Sequence, residues 1–382
     1  MNLEDILVDT LGITSEKAKT ILKSRSTKKI VHKDLLILVF KREMLGYPEG
    51  TSIVHDTSTS VSRVIPGYPP IPRLLILEKI RDIFKEEVVV EEKINGYNVR
   101  VAAIGEKIVS LTRGGNICPY THYKILKLYG EKLRKLFQDY PDLILCGEAI
   151  GMDNPYVRYE GYRNVSFDYI VFDMMQERKF LSIKKRDSIA VEYGLKIPRS
   201  YGFYKPEEFR RIIDLSVQLE EKGIEGFVIK NMDNEVRVKY TVTSTNIGDI
   251  REGMRFFFEE GRTYIFPRVL REIFRQYELI KNGYDFGEEV YVKLGKALLE
   301  PPIETVAKTE KGEMSDEDFT LVLDDLRILD EFLQYMEKQK IPIHVIGIYP
   351  TSGGEYRISC LKIRRTPLRI KSILDTGISP ED

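Results

Sequence analysis

The chain of 382 residues is 42% hydrophobic and, at about 100 to 200 residues per domain, is long enough for two to four domains. It carries 59 Lys and Arg residues against 59 Asp and Glu residues, and the resulting net charge of zero excludes a uniformly basic surface for nucleic acid. A polyanion would therefore have to bind at a local basic patch. The 31% share of charged residues and the absence of tryptophan lean toward a thermophilic source.

The cysteines and histidines do not form a recognisable metal or disulfide pattern. Cys118, Cys146 and Cys360 are far apart and make no C-x-x-C pair, and the four histidines are scattered, so we expect reduced thiols and no zinc site. The N-terminus has acidic residues in place of the basic and then apolar order of a signal peptide, and no apolar run is long enough for a membrane span. We therefore expect a cytoplasmic protein with no membrane partner.

The N-terminal part is predicted to form a small domain of its own. Apolar residues recur there at helical spacing, and Thr14 or Ser15 can cap the second of two helices. The proline-rich stretch 66–72 has the composition of a linker, so we place the first domain boundary there. The predicted elements are helices over residues 3–11, 15–24 and 74–84 and a strand over residues 35–40.

The middle of the chain alternates strands with helices and short polar turns, which is typical of an α+β domain built on antiparallel sheets. A β-branched run begins at Val88, and Gly96 separates it from a second strand. The predicted strands cover residues 88–92, 97–102, 108–111, 143–146, 165–174, 225–230 and 235–240. The predicted helices cover residues 121–137, 183–193 and 209–222.

The C-terminal part first becomes helical and then returns to strands. Ser315 can cap the last of its helices, with Glu317 and Asp318 in the first turn. The predicted elements are helices over residues 268–280, 288–299 and 316–338 and strands over residues 341–348 and 355–364. We therefore predict four domains, over residues 1–65, 66–245, 246–313 and 314–382.

Lys93 is the first candidate for chemistry. It lies at the predicted end of a strand, in K-I-N-G, where Gly96 lets the backbone come close to a ligand, and a lysine in such a place can act as a nucleophile. The K-x-x-G spacing alone is more often a solvated strand end. The downstream strand ends, however, carry T-R-G-G, G-E, F-D, E-G-F-V-I-K and R-V-K in that order.

These six motifs have the order and spacing of the lysine nucleotidyltransferase superfamily, which comprises DNA ligases, RNA ligases and messenger-RNA capping enzymes. The resemblance covers residues 88–240, and E-E-K-I-N-G-Y-N-V-R and L-T-R-G-G-N-I-C-P-Y are most similar to archaeal ATP-dependent RNA ligases, which are homodimeric. It implies a nucleotidyltransferase core of ATP-grasp-like antiparallel sheets, with a small N-terminal domain and a helical plus α/β C-terminal region.

The resemblance also implies the role of each motif residue. Lys93 would attack the α-phosphate of ATP and hold AMP, while Lys230 and Lys239 would favour loss of its proton and bind phosphates. Arg113 would contact phosphate or ribose, and Glu148 would accept from ribose hydroxyls. Phe172 would stack on adenine.

Other positions follow the family pattern less closely. Glu225 resembles the acid that helps to place Mg²⁺, for which Mn²⁺ could substitute. Asn95 replaces an aspartate of DNA ligases and capping enzymes, and Arg237 replaces a frequent lysine. The expected catalytic residues are Lys93, Lys230 and Lys239, and the expected nucleotide-binding residues are Glu92, Lys93, Asn95, Gly96, Asn98, Arg100, Arg113, Glu148, Phe172, Glu225, Lys230, Arg237 and Lys239.

The reaction implied is the ATP-dependent joining or circularisation of single-stranded RNA with 5′-phosphate and 3′-hydroxyl ends, through lysyl-AMP and RNA-adenylate intermediates. A GTP-dependent capping guanylyltransferase and a non-catalytic RNA-binding protein remain as alternatives. The helical pattern after Tyr240 argues against the relatives that place an OB-fold there. Helices between residues 247 and 307 are expected to form a dimer interface through Val269, Ile273 and Phe274, although intrachain packing would also cover them. Residues 362–365, K-I-R-R, are either an RNA-phosphate contact or a solvated strand end.

Overall fold

The computed structural model describes residues 2–157, 159–285, 287–313 and 317–379. It contains four antiparallel sheets, and the chain passes through them in the order N-terminal sheet, two central sheets, C-terminal sheet. A helical segment separates the last two. The α+β class predicted from the sequence is confirmed.

The N-terminal sheet is covered on both faces. Asn2 forms a capping box with the first helix, and Thr14 caps the second, as predicted. One face of the sheet packs on the two helices, while Ile37, Val39 and Val54 on the other face share a core with the central domain. The elements are α1 (Leu3–Leu11), α2 (Ser15–Lys23), β1 (Thr27–His32), β2 (Leu35–Phe40), β3 (Ser52–Asp56) and β4 (Val61–Ile65), with the strands paired in sequence order.

The central domain consists of a four-stranded and a five-stranded sheet. Their strand orders are β11-β5-β12-β13 and β10-β9-β8-β6-β7. The elements are α3 (Ile80–Ile83), β5 (Val88–Glu92), β6 (Tyr97–Ile104), β7 (Lys107–Thr112), α4 (Pro119–Asp139), β8 (Ile144–Ile150), β9 (Asp168–Gln176), β10 (Lys179–Phe180), α5 (Ile183–Glu192), β11 (Ser200–Tyr204), α6 (Phe209–Glu221), β12 (Gly226–Asn231) and β13 (Arg237–Thr241).

The segment before β5 is less helical than its apolar spacing predicts. In place of one helix over residues 74–84 there is a 3₁₀ turn, Leu77–Lys79, and a single turn of α-helix. The carboxylate of Glu278 accepts from the backbone N–H groups of Leu77 and Glu78 at 2.9 Å each. The start of this turn is therefore tied to a distant helix, and the chain is already extended at Phe84.

The turn between β5 and β6 carries the chain from one central sheet to the other. A Cβ atom at Gly96 would lie 2.3 Å from the carbonyl oxygen of Ala149 on β8, the strand that pairs with β6, so only glycine fits at this place. Lys93 stands at the start of this crossing, directly after the last residue of β5. Its side chain is thereby placed between the sheets.

The C-terminal part contains three long helices and a three-stranded sheet of order β14-β16-β15. The sheet and its helix pack on α4, because Phe319, Leu321 and Phe332 belong to the same core as Leu133 of that helix. The elements are α7 (Thr243–Arg255), α8 (Phe257–Lys281), α9 (Glu289–Glu310), β14 (Glu317–Leu323), α10 (Leu326–Lys338), β15 (Ile343–Pro350), β16 (Tyr356–Lys362) and α11 (Thr366–Thr376).

The prediction of one helix over residues 316–338 is wrong in its first third. Phe319, Leu321 and Leu323 are buried at every second position, which is the period of a strand, and they form β14. The helix begins only at Leu326, where the side chain of Asp325 accepts from the N–H of Arg327. The predicted cap Ser315 lies outside the described residues.

Within the described residues, none of the helices combines the length and the apolar character needed to cross a bilayer.

Candidate active site

A cavity of about 520 Å³ opens between the two central sheets, and most of the predicted site residues line it. Its volume lies within the range of roughly 300 to 1,000 Å³ that is usual for ligand pockets. The predicted residues in its wall are Glu92, Lys93, Gly96, Asn98, Arg113, Glu148, Phe172, Lys230 and Lys239. The proline-rich segment read as a linker also forms wall, through Tyr68, Pro69, Pro70, Ile71 and Arg73.

Lys93 is held at the point where the sheets meet. Its backbone N–H donates to the carbonyl of Gly226 at 3.0 Å, and its amino group donates to Glu225. Burial raises the pKa of Glu225, which makes this carboxylate a better proton acceptor than an exposed glutamate. The second carboxylate oxygen, Oε2, is buried without a hydrogen-bond partner in the part of the chain that the structure describes.

Glu148 and Asn98 lie side by side on the floor of the cavity. They are paired residues in the register of β8 and β6. Burial raises the pKa of Glu148 to about 8, although the positive charges of Lys93, Arg113 and Lys239 oppose this shift. The Oδ1 atom of Asn98 is buried and has no hydrogen-bond partner among the described residues. Both side chains can therefore exchange hydrogen bonds with a polar ligand.

Part of the cavity lining is apolar. Phe172, Ile94, Pro198 and Val228 contribute to it. The ring of Phe172 meets that of Tyr68 edge to face, with centroids 5.1 Å apart. This contact fixes the orientation of Phe172 and prepares it to stack on a planar ligand.

Lys230 lies at the base of the cavity inside a network of opposite charges. Its amino group is 2.8 Å from Asp173 Oδ1 and 2.9 Å from Glu91 Oε2, and it donates to the carbonyl of Phe172 at 2.8 Å. Arg186 also donates to Glu91, at 3.0 Å through Nη1. The positive charge of Lys230 is thus matched by two carboxylates of the protein itself.

Arg237 belongs to the same network and does not line the cavity. Its Nη1 donates to the hydroxyl of Tyr68 at 3.1 Å and to Asp173 Oδ2 at 3.2 Å. Its guanidinium also lies 3.6 Å from the ring centroid of Phe180. These contacts support the wall formed by Tyr68.

The expectation that Arg100 binds the nucleotide is wrong. Its side chain is fully buried and donates to the carbonyls of Gly50, Ile65, Pro66 and Thr112, at 2.5 to 3.3 Å. Arg100 projects from the same face of β6 as Asn98 but lies further along it, where the N-terminal sheet covers the central one. It therefore joins the N-terminal sheet to the central domain.

Two further predicted residues, Glu92 and Asn95, lie at the edge of the cavity or outside it. Burial raises the pKa of Glu92, which lines the cavity beside Tyr201 and Arg199. Asn95 faces a second cavity, of about 860 Å³, between the central domain and the helices that follow it. Its backbone N–H donates to the hydroxyl of Tyr162 at 3.4 Å.

Lys239 is surrounded by cations. Burial lowers the pKa of Lys239 to about 8, and the charges of Arg73, Lys93, Arg113 and Arg271 lower it further. Neither Arg73 nor Arg271 was found from the sequence, since one lies in a presumed linker and the other in a long helix. Other residues that the motif search did not assign to the site are Tyr68, Glu91, Asp173, Arg186 and Tyr335.

The donors available to a divalent metal are few. Within residues 2–157, 159–285, 287–313 and 317–379 there is no group of three or more His, Cys, Asp or Glu side chains that could hold an ion. The buried, unpartnered Oε2 of Glu225 fits a single carboxylate ligand. Mg²⁺ is commonly bound in this way, with substrate phosphates and water completing its shell.

Comparison with known proteins identifies the family. A model of the RNA ligase family matches residues 86–241, and a model described as the C-terminal region of the ligase Pab1020 matches residues 253–377. An uncharacterised protein of Methanocaldococcus jannaschii is 35% identical over 328 residues, which are 83% of this chain and 81% of that protein.

Solved structures agree over nearly the whole chain. An archaeal ATP-dependent RNA ligase is 31% identical and superposes with a TM-score of 0.89 over 99% of this chain and 100% of that one. A putative ATP-dependent DNA ligase from Aquifex aeolicus is 26% identical, with a TM-score of 0.84 over 96% of this chain and 100% of that one. The resemblance inferred from the motifs is confirmed, and the chain belongs to the archaeal ATP-dependent RNA ligases within the RNA ligase family.

Proposed function

We propose that this enzyme joins single-stranded RNA ends in three displacement steps at phosphorus. AMP moves from ATP to Lys93, then to the 5′-phosphate of an RNA, and is finally displaced by a 3′-hydroxyl. The observation that carries the proposal is the position of Lys93, whose amino group lies at the junction of two sheets and inside a nucleotide-sized cavity. A cytoplasmic location would match the supply of ATP and the three unpaired cysteines.

The first transfer is a displacement at phosphorus. A bond forms between Nζ of Lys93 and the α-phosphorus, the bond from that phosphorus to the bridging oxygen breaks, and pyrophosphate leaves with the electron pair. The lysine must give up two of its three ammonium protons, and the departing pyrophosphate can take the one that the protein does not. Glu225 already accepts a hydrogen bond from the amino group, and its raised pKa suits it to receive one of them.

The cavity provides complementary walls for the nucleoside. Phe172 offers an aromatic face to adenine, while Glu148 and Asn98 face the ribose hydroxyls from the floor. Glu225 would be the protein ligand of Mg²⁺ or Mn²⁺. Such an ion would offset the negative charge of the triphosphate.

The deciding experiment is covalent labelling with α-labelled ATP followed by peptide mapping. Wild-type protein should carry AMP on Lys93, and Lys93→Ala should lose the label while still sealing RNA that has been adenylated beforehand. Lys222→Ala, which removes a lysine at the end of α6, is the control. AMP on a single site of the Lys93 variant would contradict the assignment. Label from GTP alone would favour the capping alternative, and absence of label from both nucleotides would favour a binding protein.

We also propose that the helical segment pairs two copies of the enzyme. Phe266, Ile273 and Ile280 recur every seven residues on α8, and 63%, 56% and 57% of their side chains are exposed. Residues at this spacing form one stripe on a helix, and exposed apolar stripes commonly mark interfaces. Of the three residues first expected at this interface, Ile273 is exposed, whereas Val269 and Phe274 are partly buried.

Sedimentation velocity tests the pairing. The wild type should sediment as a dimer, and Ile273→Glu with Ile280→Glu should shift it to a monomer, because the charges could not be desolvated between the subunits. Lys135→Glu on the exposed side of α4 is the matched control and should remain dimeric. A monomeric wild type would refute the proposal.

A further inference from the structure

Among the described residues, the cations around Lys239 outnumber the carboxylates that act on them. Glu225 is occupied by Lys93, and Asp249 is held by Arg268 Nε at 2.8 Å. Like charges that are partly withdrawn from water repel one another more strongly than at the surface. A site of this kind is stabilised when a densely charged anion enters it.

Arg73 is fixed at the wall of the cavity. The segment that carries it runs beside β13, with the N–H of Leu74 donating to Lys239 O and the N–H of Lys239 donating to Pro72 O, both at 2.9 Å. Nη1 of Arg73 donates to the hydroxyl of Thr241 at 2.9 Å, which is a neutral partner. Burial and the nearby charge of Arg271 lower the pKa of Arg73 to about 10. The guanidinium is thus oriented by a hydroxyl that does not neutralise it.

Arg271 approaches the same place from the helical segment. Its side chain is only 16% exposed, and the ion pair that it makes, with Asp249 Oδ2, is long at 4.0 Å. The same oxygen is already bound closely by Arg268. On α8, Arg271 lies four residues before Arg275, which donates to the hydroxyl of Tyr240 at 3.2 Å, so this face of the helix is turned toward β13.

Arg73 lines the same cavity as the expected nucleophile and the groups expected to hold the nucleoside. Lys93, Lys239, Glu148 and Phe172 are all in its wall, and Arg271, on α8, is not part of that lining. Arg73 and Lys239 pair with each other in the bridge between the proline-rich segment and β13. With the α-phosphate of ATP at Lys93, the remaining phosphates would meet the charges of Lys239 and Arg73 inside the same cavity.

We propose that Arg73 and Arg271 bind the β- and γ-phosphates of ATP and hold pyrophosphate as it leaves, an inference that rests on the proposed function. The bond to the bridging oxygen breaks, and the negative charge that develops on pyrophosphate is met by the two guanidinium groups. The helical segment is then part of the active site for the first transfer. In the two later transfers pyrophosphate is absent, so the arginines have no ligand there.

The test compares two reactions of each variant, AMP labelling of the enzyme and sealing of RNA that has been adenylated beforehand. We expect Arg73→Gln and Arg271→Gln each to slow AMP labelling by roughly 10²-fold, on the scale of a lost oxyanion donor. The reverse reaction, release of ATP from the adenylated enzyme by added pyrophosphate, should need a similarly higher pyrophosphate concentration. Sealing of RNA adenylated beforehand should stay within about threefold of the wild type. Arg251→Gln, an exposed arginine of α7 paired with Glu300, is the control and should leave labelling unchanged.

Additional measurements exclude a merely structural effect. Thermal unfolding of Arg271→Gln should not begin at a lower temperature than that of the wild type, because the change removes a repelled charge, and Arg271→Lys should recover part of the labelling rate. Equal losses in labelling and sealing, or labelling within about threefold of the wild type, would overturn the inference. If one variant does not fold, the other decides the question. Failure of the wild type to take label would instead overturn the proposed function itself.

Discussion

Two lysines on neighbouring strands of one sheet have opposite surroundings. Lys230 on β12 is 2% exposed and lies between the carboxylates of Glu91 and Asp173, at 2.9 and 2.8 Å. Lys239 on β13 faces the same cavity with Arg73 and other cations around it. The sequence predicted the same kind of role for both, yet Lys230 forms ion pairs within the protein and Lys239 forms none among the described residues. Adjacent lysines can thus serve the structure and the substrate respectively.

Lys230 and its ion-pair partners connect three parts of the central domain. Glu91 comes from β5 of the four-stranded sheet, Asp173 from β9 of the five-stranded sheet, and Arg186 from α5. Their hydrogen bonds through Lys230 cross the gap between the sheets directly beneath the nucleotide cavity. The network therefore sets the separation of the two walls. The cations around Lys239 make no comparable link.

The largest effect is expected for Lys230→Met. Removing one partner of a buried ion pair leaves carboxylates uncompensated and typically costs about 3 to 5 kcal/mol in the free energy of unfolding. Urea denaturation monitored by circular dichroism would measure it, with Lys179→Met on the exposed edge strand as the control. A loss below about 1 kcal/mol would mean that the two lysines differ less than their contacts indicate.

For Lys239→Met we expect the opposite result. The apo protein should be as stable as the wild type or more so, because a half-buried charge among like charges is removed, while AMP labelling should fall roughly 10² to 10³-fold. Thermal unfolding and labelling with α-labelled ATP, performed on the same preparation, would show both. A variant that is strongly destabilised would place Lys239 in the same class as Lys230.

A smaller, pH-dependent effect should come from Glu148. Its pKa in the folded protein is about 8, compared with 4.5 for an unperturbed group, so the folded state keeps a proton that the unfolded chain has released. The stability that this protonation provides is complete below about pH 4.5 and is lost as the pH rises through about 8. Glu148→Gln cannot ionise, and the wild type should lose a few degrees of melting temperature relative to it as the pH rises from about 4.5 to about 8. Parallel melting curves would argue that Glu148 is already charged, and exposed Glu106→Gln is the control.

The local parts of the site followed from the sequence. Motif order located Lys93, Glu148, Phe172 and Lys239, because each stands at or next to a strand whose period was visible. The strand at 317–323 was missed because F-T-L-V-L runs into a helical pattern without a break. Contacts between segments that are distant in the chain leave no periodic pattern in the sequence. For this reason Arg271, on α8, could not be predicted to lie near the site.

Arg100 shows a related limit of sequence patterns. It lies two residues after Asn98 and therefore on the same face of β6. Alternation does not reveal how far along that face a cavity extends, and here the N-terminal sheet begins to cover it after two residues. The role of Arg100 depended on a contact with Pro66, which only the folded chain displays.

The N-terminal and five-stranded sheets share one core, so the nucleotidyltransferase unit should not be stable when it is produced without the N-terminal sheet. Ala102, Ile104, Val109 and Leu111 are at most 1% exposed because the N-terminal sheet covers them. A chain beginning at residue 66 would present this apolar surface to water and would be prone to aggregate. The same deletion would remove two of the four carbonyl partners of Arg100, those of Gly50 and Ile65. Exchanging catalytic cores between relatives would therefore require transferring the first 65 residues as well, because their sheet forms one side of this shared core.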